Sequence, residues 1–378
     1  MKKVLVTGAA LLIAGSMVSA AQADVKFSGD ARFRGITKQD YSATADNISK
    51  LDSRIRIKVK ATAKGGASIN ARIRMIDGMW DGGRGPTGNA ADPKNIYVDY
   101  AYITVPMGPI AISGGRQIKN FSPWFSWDGR ADRLKAVYKT GGTTLVGFYD
   151  KNAEITDPVD PEIPGDVSTD WTDDNDKNGY GFVAIQKMGS MTMKGIVVAL
   201  QDETPVDNNG LVGSVNLAGK AGAMKYEAEL AFKDFDNSDD TQLGGFATLG
   251  SSFGAASITG VIGFTKDGYL ADDDYGFIML GAGTGITAVD HIGADTTGTA
   301  YDTTFGGAMV SFKASDKLSL GANAIYATLD DGPDLFELSG QAKYAISEGA
   351  YLLGRAGMLD NDQADTAVGA YFEFGVKF

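Results

Sequence analysis

The C-terminal residues 364–378 alternate between apolar and polar side chains. Phe372, Phe374 and Phe378 fall on one parity, whereas Glu373 and Lys377 fall on the other. Successive side chains of a β-strand point to opposite faces, so this segment is predicted to be a strand with one apolar and one wet face. The same period recurs along a chain that has 50 glycines and no cysteine. This combination favours a transmembrane β-barrel, in which lipid contacts the apolar face and water the other.

The N-terminal residues predict export. Two lysines precede an apolar run over 4–18, and residues 21–23 provide the small-x-small pattern of a cleavage site. We therefore predict a signal peptide at 1–23 and a single barrel domain over 24–378. The apolar run is too short, and too often interrupted by glycine, to span a bilayer as a membrane anchor. Export and barrel patterning together predict a location in the bacterial outer membrane.

Period-two segments occur eighteen times after the predicted cleavage site. In 51–62, for example, Leu51, Ile55 and Ile57 alternate with Arg54 and Arg56. The sequence therefore predicts a closed antiparallel barrel of about eighteen strands, and the ambiguous region 275–292 leaves sixteen or twenty as alternatives. The predicted strands are 25–36, 51–62, 67–78, 94–106, 109–116, 132–140, 142–152, 177–188, 190–201, 210–219, 222–235, 241–252, 254–266, 301–313, 317–330, 335–347, 349–360 and 364–378.

The predicted connections alternate in length. Tight glycine-containing turns, such as 64–66 and 347–349, interleave with longer segments rich in Asp and Asn, at 79–93, 153–176 and 267–300. In bacterial barrels the short turns are periplasmic and the long loops external. We therefore expect 267–300 to be an external loop, together with the other two long segments.

Enzyme chemistry has little support in the sequence. The absence of cysteine removes thiol nucleophiles and disulfides. The single histidine, His291, follows Asp290, but no nucleophile motif accompanies it. We predict no catalytic residue and no cofactor. A pI of about 4.6, with basic residues expected to point inward, also disfavours nucleic acid as a partner.

One short motif resembles a calcium-binding loop. Asp174, Asp176 and Asn178 have the spacing of its first ligands, and Gly179 falls at the sharp-turn position. The position for the closing bidentate glutamate is Ile185, inside a predicted strand. The motif is therefore a weak metal candidate, and an ordinary acidic loop is the preferred interpretation.

Charge is distributed unevenly along the chain. Residues 24–150 contain 20 Lys and Arg and 12 Asp and Glu, whereas residues 151–378 contain 13 and 35. Pairing the strands across the first two connections places Arg32 opposite Arg54, Arg56 beside Arg74, and Lys58 beside Arg72. Like charges opposite each other destabilise a sheet, so a basic inner wall lowers the stability of the barrel. We therefore expect the wall to have a function, the attraction of anions into the lumen. The simpler alternative is a wet lumen in which Asp30, Asp52 and Asp99 neutralise part of the charge.

The chain resembles a Gram-negative general porin over its whole length. The most specific local match is 114–117, Gly-Gly-Arg-Gln, which ends the fifth predicted strand. In that family the next external connection folds into the lumen as a constriction, which the resemblance places near 118–130. The family pattern also places Arg116 on the pore lining. The predicted basic lining is Arg32, Arg34, Arg54, Arg56, Lys58, Arg72, Arg74, Arg116, Arg133 and Lys135.

The predicted constriction loop is aromatic, with one acidic residue. Its rings would either pack the loop against the inner wall or contact passing solutes; a lipid-facing girdle is disfavoured because the segment lacks alternation. The predicted constriction residues are Phe121, Trp124, Phe125, Trp127 and Asp128.

The resemblance implies an outer-membrane porin that passes small hydrophilic solutes and ions by passive diffusion. It also implies contact with outer-membrane lipid and lipopolysaccharide, and a homotrimer. From the basic lining we expect a preference for anions. The alternatives are an outer-membrane enzyme barrel and a structural or adhesive barrel with a closed lumen.

Overall fold

The computed structural model describes residues 24–41, 47–80, 96–153, 176–203, 208–281 and 285–378. The predicted signal peptide lies outside the described residues. The same holds for almost all of the predicted external loops 79–93 and 153–176. The long segment 267–300, in contrast, is described apart from 282–284.

The described residues form eighteen strands, which begin and end close to the predicted positions. They are β1 (Asp24–Gln39), β2 (Ile48–Thr62), β3 (Ser68–Met79), β4 (Tyr97–Met107), β5 (Ile110–Lys119), β6 (Gly129–Thr140), β7 (Thr143–Ala153), β8 (Lys177–Met188), β9 (Met191–Asp202), β10 (Gly210–Ala221), β11 (Met224–Phe235), β12 (Gln242–Phe253), β13 (Ala256–Lys266), β14 (Thr303–Lys313), β15 (Leu318–Leu329), β16 (Asp334–Ser347), β17 (Ala350–Asn361) and β18 (Ala364–Lys377). In this part of the chain, no helix has the length and apolar character needed to cross a membrane.

The strands close into one antiparallel barrel. Each strand pairs with its sequence neighbours, and β1 pairs with both β2 and β18. Phe33 of β1, for example, lies opposite Phe374 of β18. The predicted count of eighteen is therefore confirmed over sixteen and twenty, because 275–292 contributes no strand to the barrel. Closure leaves no sheet edge with unpaired backbone groups.

The outer face of the barrel is apolar and exposed. Phe27, Ile262 and Phe372 have 67%, 68% and 52% of their surface accessible, far more apolar exposure than one soluble domain usually carries. On β18 the exposed Phe372 and Phe374 alternate with the buried Tyr371 and Glu373. The alternation read from the sequence thus separates the outer from the inner face.

The strand register near the N-terminus confirms the predicted basic pairs. β1 and β2 pair along their whole length, and β2 pairs with β3 with a bulge at Ile55/Arg56. Residues of β2 up to Ile55 are shifted from the predicted pairing with β3, whereas residues from Arg56 onward keep it. The confirmed pairs are Arg32 with Arg54, Arg56 with Arg74, and Lys58 with Arg72.

The apolar core lies inside the barrel and on one side of it. Most of its buried members come from the connection between β13 and β14 and from the inner faces of β11 to β18, and Trp124 joins them from the connection between β5 and β6. Met279 and Ile286 of the connection, for example, are fully buried, as are Ile325 and Leu359 of the wall. Among the described residues of strands β1 to β7, only Ile36 is a buried member of this cluster. The two halves of the interior therefore have different chemistry.

Candidate pore lining and inward segments

Nine of the ten predicted basic residues lie on one continuous stretch of inner wall, which we call the basic wall. They share the strand parity that points away from the exposed apolar face. Some of these cations lie over aromatic rings. The guanidinium carbon of Arg133, for example, is 4.2 Å from the ring centroid of Phe148. The members of the basic wall are Arg32, Arg34, Arg54, Arg56, Lys58, Arg72, Arg74, Arg133 and Lys135.

Three predicted carboxylates lie among these cations. Asp52 pairs with Arg34 at 2.7 Å, and both side chains are nearly buried. Asp30 is shared by two arginines, with an oxygen 2.9 Å from Arg56 and 3.7 Å from Arg54. Asp30 and Asp52 thus neutralise part of the wall, a feature of the alternative interpretation of the sequence.

Asp99 is the most heavily shared carboxylate of the wall. A bulge between Arg72 and Ile73 leaves Asp99 without a partner on β3, so its side chain can enter the cluster of guanidinium groups. It bonds Arg72, Arg74 at 3.2 Å and Arg130 at 3.0 Å. Sequence analysis missed Arg130 because it lies in the predicted loop rather than on a strand. One carboxylate therefore serves three cations.

Positive charge exceeds negative charge along the basic wall. Arg32 forms no ion pair with any described residue. The Nε–H groups of Arg32, Arg54 and Arg74 are buried and have no acceptor among the described residues. A lumen cavity of about 430 Å³ at the short-turn half of the barrel is lined by Arg32, Arg54, Arg56 and Lys58, together with the carboxylates of Asp30 and Glu373. The cationic side chains that line this cavity can contact water or an anion.

Arg116 does not lie on the inner wall. It has the strand parity of the exposed Ile110 and Ile112, and its guanidinium is 4.0 Å from Asp132, with both side chains more than half exposed. The prediction that Arg116 lines the pore was wrong. The parity of the two isoleucines, available in the sequence, points it outward, whereas the family motif suggested the lumen.

Residues 120–128 connect β5 to β6 and fold into the barrel; we call them the short inward segment. Ser122 Oγ donates to Glu229 of β11 at 2.5 Å, and Lys194 of β9 donates to the Phe121 carbonyl at 2.9 Å. Glu229, 4% exposed, also accepts from Ser214 and Asn216 of β10. The segment is thus held against a wall several strands away from its own.

The aromatic residues of the short inward segment have different surroundings. Trp124 is fully buried, with its ring 5.3 Å from that of Phe246 and 4.7 Å from that of Tyr275. Phe121 is 9% exposed and lies under the Lys194 ammonium group, and its ring meets Phe125 at 5.9 Å. These three rings pack the segment in place.

The other two predicted constriction residues are more open. Trp127 is 41% exposed. Asp128 has 41% of its side chain exposed and pairs with Arg130 at 3.1 Å and Arg72 at 3.7 Å. Asp128 thus reduces the positive charge beside Asp99.

Residues 267–302 connect β13 to β14, and those that the structure describes, 267–281 and 285–302, also lie inside the barrel; we call these the long inward segment. The prediction of an external loop was wrong. Phe277, Ile278, Met279 and Leu280 are at most 5% exposed, and Ile286 is completely buried. This apolar run distinguishes the segment from the other Asp-rich connections and is the sequence signal that could have placed it inside.

The long inward segment contacts both sides of the barrel. Lys38 of β1 donates to the Thr287 carbonyl at 3.2 Å, and Tyr41 to the Ile286 carbonyl at 2.5 Å. Lys233 of β11 donates to the Leu270 carbonyl at 2.9 Å. Since β11 lies eight strands from β1 around the ring, the segment crosses the lumen.

Small residues on the wall admit the long inward segment. A Cβ atom built on Gly244 of β12 would lie 2.3 Å from the ring of Tyr269, so this tyrosine packs directly on the strand backbone. The ring of Tyr269 also stacks on Trp124 with centroids 5.9 Å apart. A larger side chain at residue 244 would displace the segment.

The two inward segments meet at Asp272. The Asp272 amide donates to the Trp124 carbonyl at 2.8 Å, and its carboxylate accepts from the Trp127 amide at 3.1 Å. Burial raises the pKa of Asp272 to about 6, and the neighbouring Asp273 and Asp274 add to the rise. Protonation of this carboxyl is therefore accessible in mildly acidic water.

The weak metal candidate does not form a cluster among the described residues. Asp176 pairs with Lys151 at 2.9 Å, and Asn178 accepts from Tyr149 at 2.8 Å; Asp174 lies outside the described residues. His291 hydrogen-bonds to the Ala271 carbonyl at 2.8 Å. These contacts give each group a structural partner.

Comparisons with known proteins identify the barrel type. No protein-family model and no curated protein sequence matches the chain. OpdO of Pseudomonas aeruginosa aligns with a TM-score of 0.66 at 11% identity, over 94% of this chain and 97% of that chain. A BenF-like porin from Pseudomonas fluorescens Pf-5 aligns with a TM-score of 0.64 at 10% identity, over 94% and 98%. For OccK9 (OpdG) of Pseudomonas aeruginosa the values are 0.64, 12%, 94% and 99%. At such identities the likeness establishes a shared fold, the closed barrel seen in solved porin structures.

Proposed function

We propose that this chain is an outer-membrane porin, a passive channel for small hydrophilic solutes with a preference for anions. The basic wall carries the proposal: its guanidinium groups outnumber the carboxylates that pair with them, and Asp99 alone serves three arginines. The exposed apolar outer face supports insertion into lipid. The structural likeness to a BenF-like porin supports the same class.

The two inward segments define where the channel is narrow. The short inward segment lies beside Arg72 and Arg130 through Asp128, and the long inward segment fills the opposite side with apolar side chains. The path left for solutes then runs along the basic wall. A narrow, low-dielectric passage focuses the field of these charges.

Anion preference is expected despite the net charge of −12. Permeation depends on charges at the narrow region, and at physiological salt the Debye length is only about 8 Å. Carboxylates on the exposed rim and turns, such as Asp316, are therefore screened from the passage. Arg54, Arg56 and Arg74 have less than a quarter of their side chains exposed and are less affected by salt.

Single-channel recording in a salt gradient tests the proposal. The reversal potential of the wild type should have the sign of anion preference, and the preference should weaken as salt rises. Replacing Arg54, Arg56 and Arg74 together by Gln should shift it toward cations. Arg116→Gln is the control for position: it removes one arginine charge from the outer face rather than three from the lumen, and it should leave selectivity unchanged. A cation-selective wild type, or equal effects of the two variants, would contradict the assignment.

A structural barrel with a closed lumen is the second candidate. It is favoured by the buried core of the long inward segment, which fills much of one half of the lumen. Wild-type protein that inserts into bilayers without conductance would support this alternative over the porin.

The general-porin subtype, the homotrimer and contacts with lipopolysaccharide are further parts of the proposal. They rest on the resemblance of the 114–117 motif and the overall barrel pattern. The mass of the detergent-purified assembly, measured by light scattering, distinguishes three chains from one. The signal peptide at 1–23 is checked by the intact mass of the exported protein.

A further inference from the structure

A completely buried glutamate lies where the long inward segment meets the wall. Glu337 of β16 has no exposed surface. Its inward neighbours Leu335 and Ser339 are also buried, while Phe336 and Leu338 between them point outward. No cation pairs with Glu337 among the described residues. A buried carboxylate without hydrogen bonds would strongly destabilise the fold. The groups that hydrogen-bond to Glu337 therefore indicate its structural role.

The partners of Glu337 are backbone amides of the long inward segment. The Leu280 amide donates to Oε2 at 2.9 Å, and the amides of Ile278 and Met279 face the same carboxylate. Ser339 on the same strand donates to Oε1 at 2.6 Å. Three consecutive amides around one carboxylate form a nest, a concave backbone arrangement that binds anions.

The residues around this contact leave little freedom. Met279 is completely buried and Leu280 is 2% exposed. A Cβ atom built on Gly357 of β17 would lie 3.1 Å from the Met279 sulfur. The nest therefore determines both the position of the 277–280 turn and its orientation. Apolar burial alone specifies no such orientation, because it is non-directional.

We infer that Glu337 is the positioning residue of the constriction: its carboxylate holds the turn 277–280 against β16 and β17 and so sets the width of the passage along the basic wall. Glu229 does the same for the short inward segment through one serine hydroxyl. Glu337 binds backbone amides, so its role does not depend on which side chains occupy the turn. The effect on permeation rests on the proposed channel function, whereas the anchoring itself does not.

Replacing Glu337 by Gln tests the inference. Gln has a similar shape and can keep its carbonyl oxygen toward the amide nest and its NH₂ group toward the Ser339 hydroxyl, but it carries no negative charge. Loss of charge-assisted hydrogen bonds of this kind shifts the equilibrium between docked and released turn by roughly tenfold. We expect large-conductance events to become more frequent by about that factor, and larger sugars to enter liposomes.

Glu227→Gln is the matched control. Glu227 has the same inward parity on β11 as Glu229 and bonds Asn216 of the wall, so the substitution removes the same charge without touching the long inward segment. Equal conductance changes in the two variants would mean that loss of one negative charge from the lumen explains the effect of Glu337→Gln, and would overturn the inference.

Hydrogen exchange followed by mass spectrometry separates this inference from the channel function. In Glu337→Gln the amides of 277–281 should exchange faster, while those of β16 and β17 remain protected. Unchanged exchange at 277–281 would overturn the inference even if the wild type conducts. Faster exchange would support it even if the wild type forms no channel, in which case only the proposed function fails.

Ser339→Ala covers the case in which Glu337→Gln does not fold. It removes one hydroxyl donor from the same carboxylate and leaves the charge and the amide nest intact. We expect a smaller increase of exchange in the same residues 277–281. No increase there would count against the anchor.

Discussion

The two halves of the barrel interior share the same alternating strand pattern but differ in the chemistry of their inward side chains. On β1 to β7 many of the inward side chains are charged, as in the Arg34–Asp52 pair. On β11 to β18 many are apolar and buried, such as Ile325 and Leu359. The outer faces of both halves are largely apolar. The difference lies in what covers the inner wall: water on one side and the long inward segment on the other.

This contrast shows that alternation determines the outer face more strictly than the inner one. Lipid favours apolar side chains at most outer positions, with Arg116 and Asp132 as exceptions, whereas an inner wall can contact water or another segment of the chain. An inward leucine on β16 therefore requires a covering segment. The predictions below remove that cover or alter the exposed charges, from the largest expected effect to the smallest.

Trp124→Ala should weaken the packed half most. The ring is fully buried among aromatic neighbours from both the wall and the long inward segment, and truncating such a residue costs about 3–5 kcal/mol. Denaturant unfolding in detergent should show the loss. Trp127→Ala, at a 41% exposed position, is the matched control and should change stability by only about 0.5 kcal/mol. Similar losses in both variants would mean that Trp124 is not part of a packed core.

Asp30→Asn should sharpen the contrast by making the basic wall more positive. Arg54 and Arg56 share this carboxylate, and its removal adds one unit of positive charge to the lumen. At an effective dielectric constant of about 20, a unit charge roughly 15 Å away acts with about 1 kcal/mol, or roughly a fivefold change in permeability ratio. Reversal potentials measure the change. Asp132→Asn, on the outer face beside Arg116, should produce none.

The smallest effect concerns pH at the contact between the inward segments. Because the pKa of Asp272 is raised to about 6 from an ordinary 3.8, the docked state binds a proton more tightly than a released one. Its stabilising contribution is complete below the ordinary pKa and is lost as pH rises through 6. We expect a modestly lower conductance at pH 4.5 than at pH 7.5.

Two variants check this pH dependence. Asp272→Asn should flatten the conductance profile between the two pKa values, because the titrating group is absent. Asp316→Asn, at an almost fully exposed turn position, should keep the wild-type profile. A profile unchanged by Asp272→Asn would assign the pH effect to other carboxylates.

The strand map could be read from the sequence because a barrel strand shows a period of two over ten or more residues. The pairing of Arg32 with Arg54, and of Lys58 with Arg72, followed from counting across the first two connections and is confirmed by the register. Parity would also have placed Arg116 outside, had it been preferred to the family motif.

The sequence by itself determined the eighteen strands, the apolar outer face and the concentration of arginine on one part of the wall. These are local properties, set by alternation and by hairpin register between neighbouring strands. Only the tertiary structure decided that 267–302 enters the lumen, that Trp124 is buried while Trp127 is exposed, and that Asp99 meets three arginines. Each of these depends on contacts between residues far apart in the chain, or on a bulge, which a period of two does not encode.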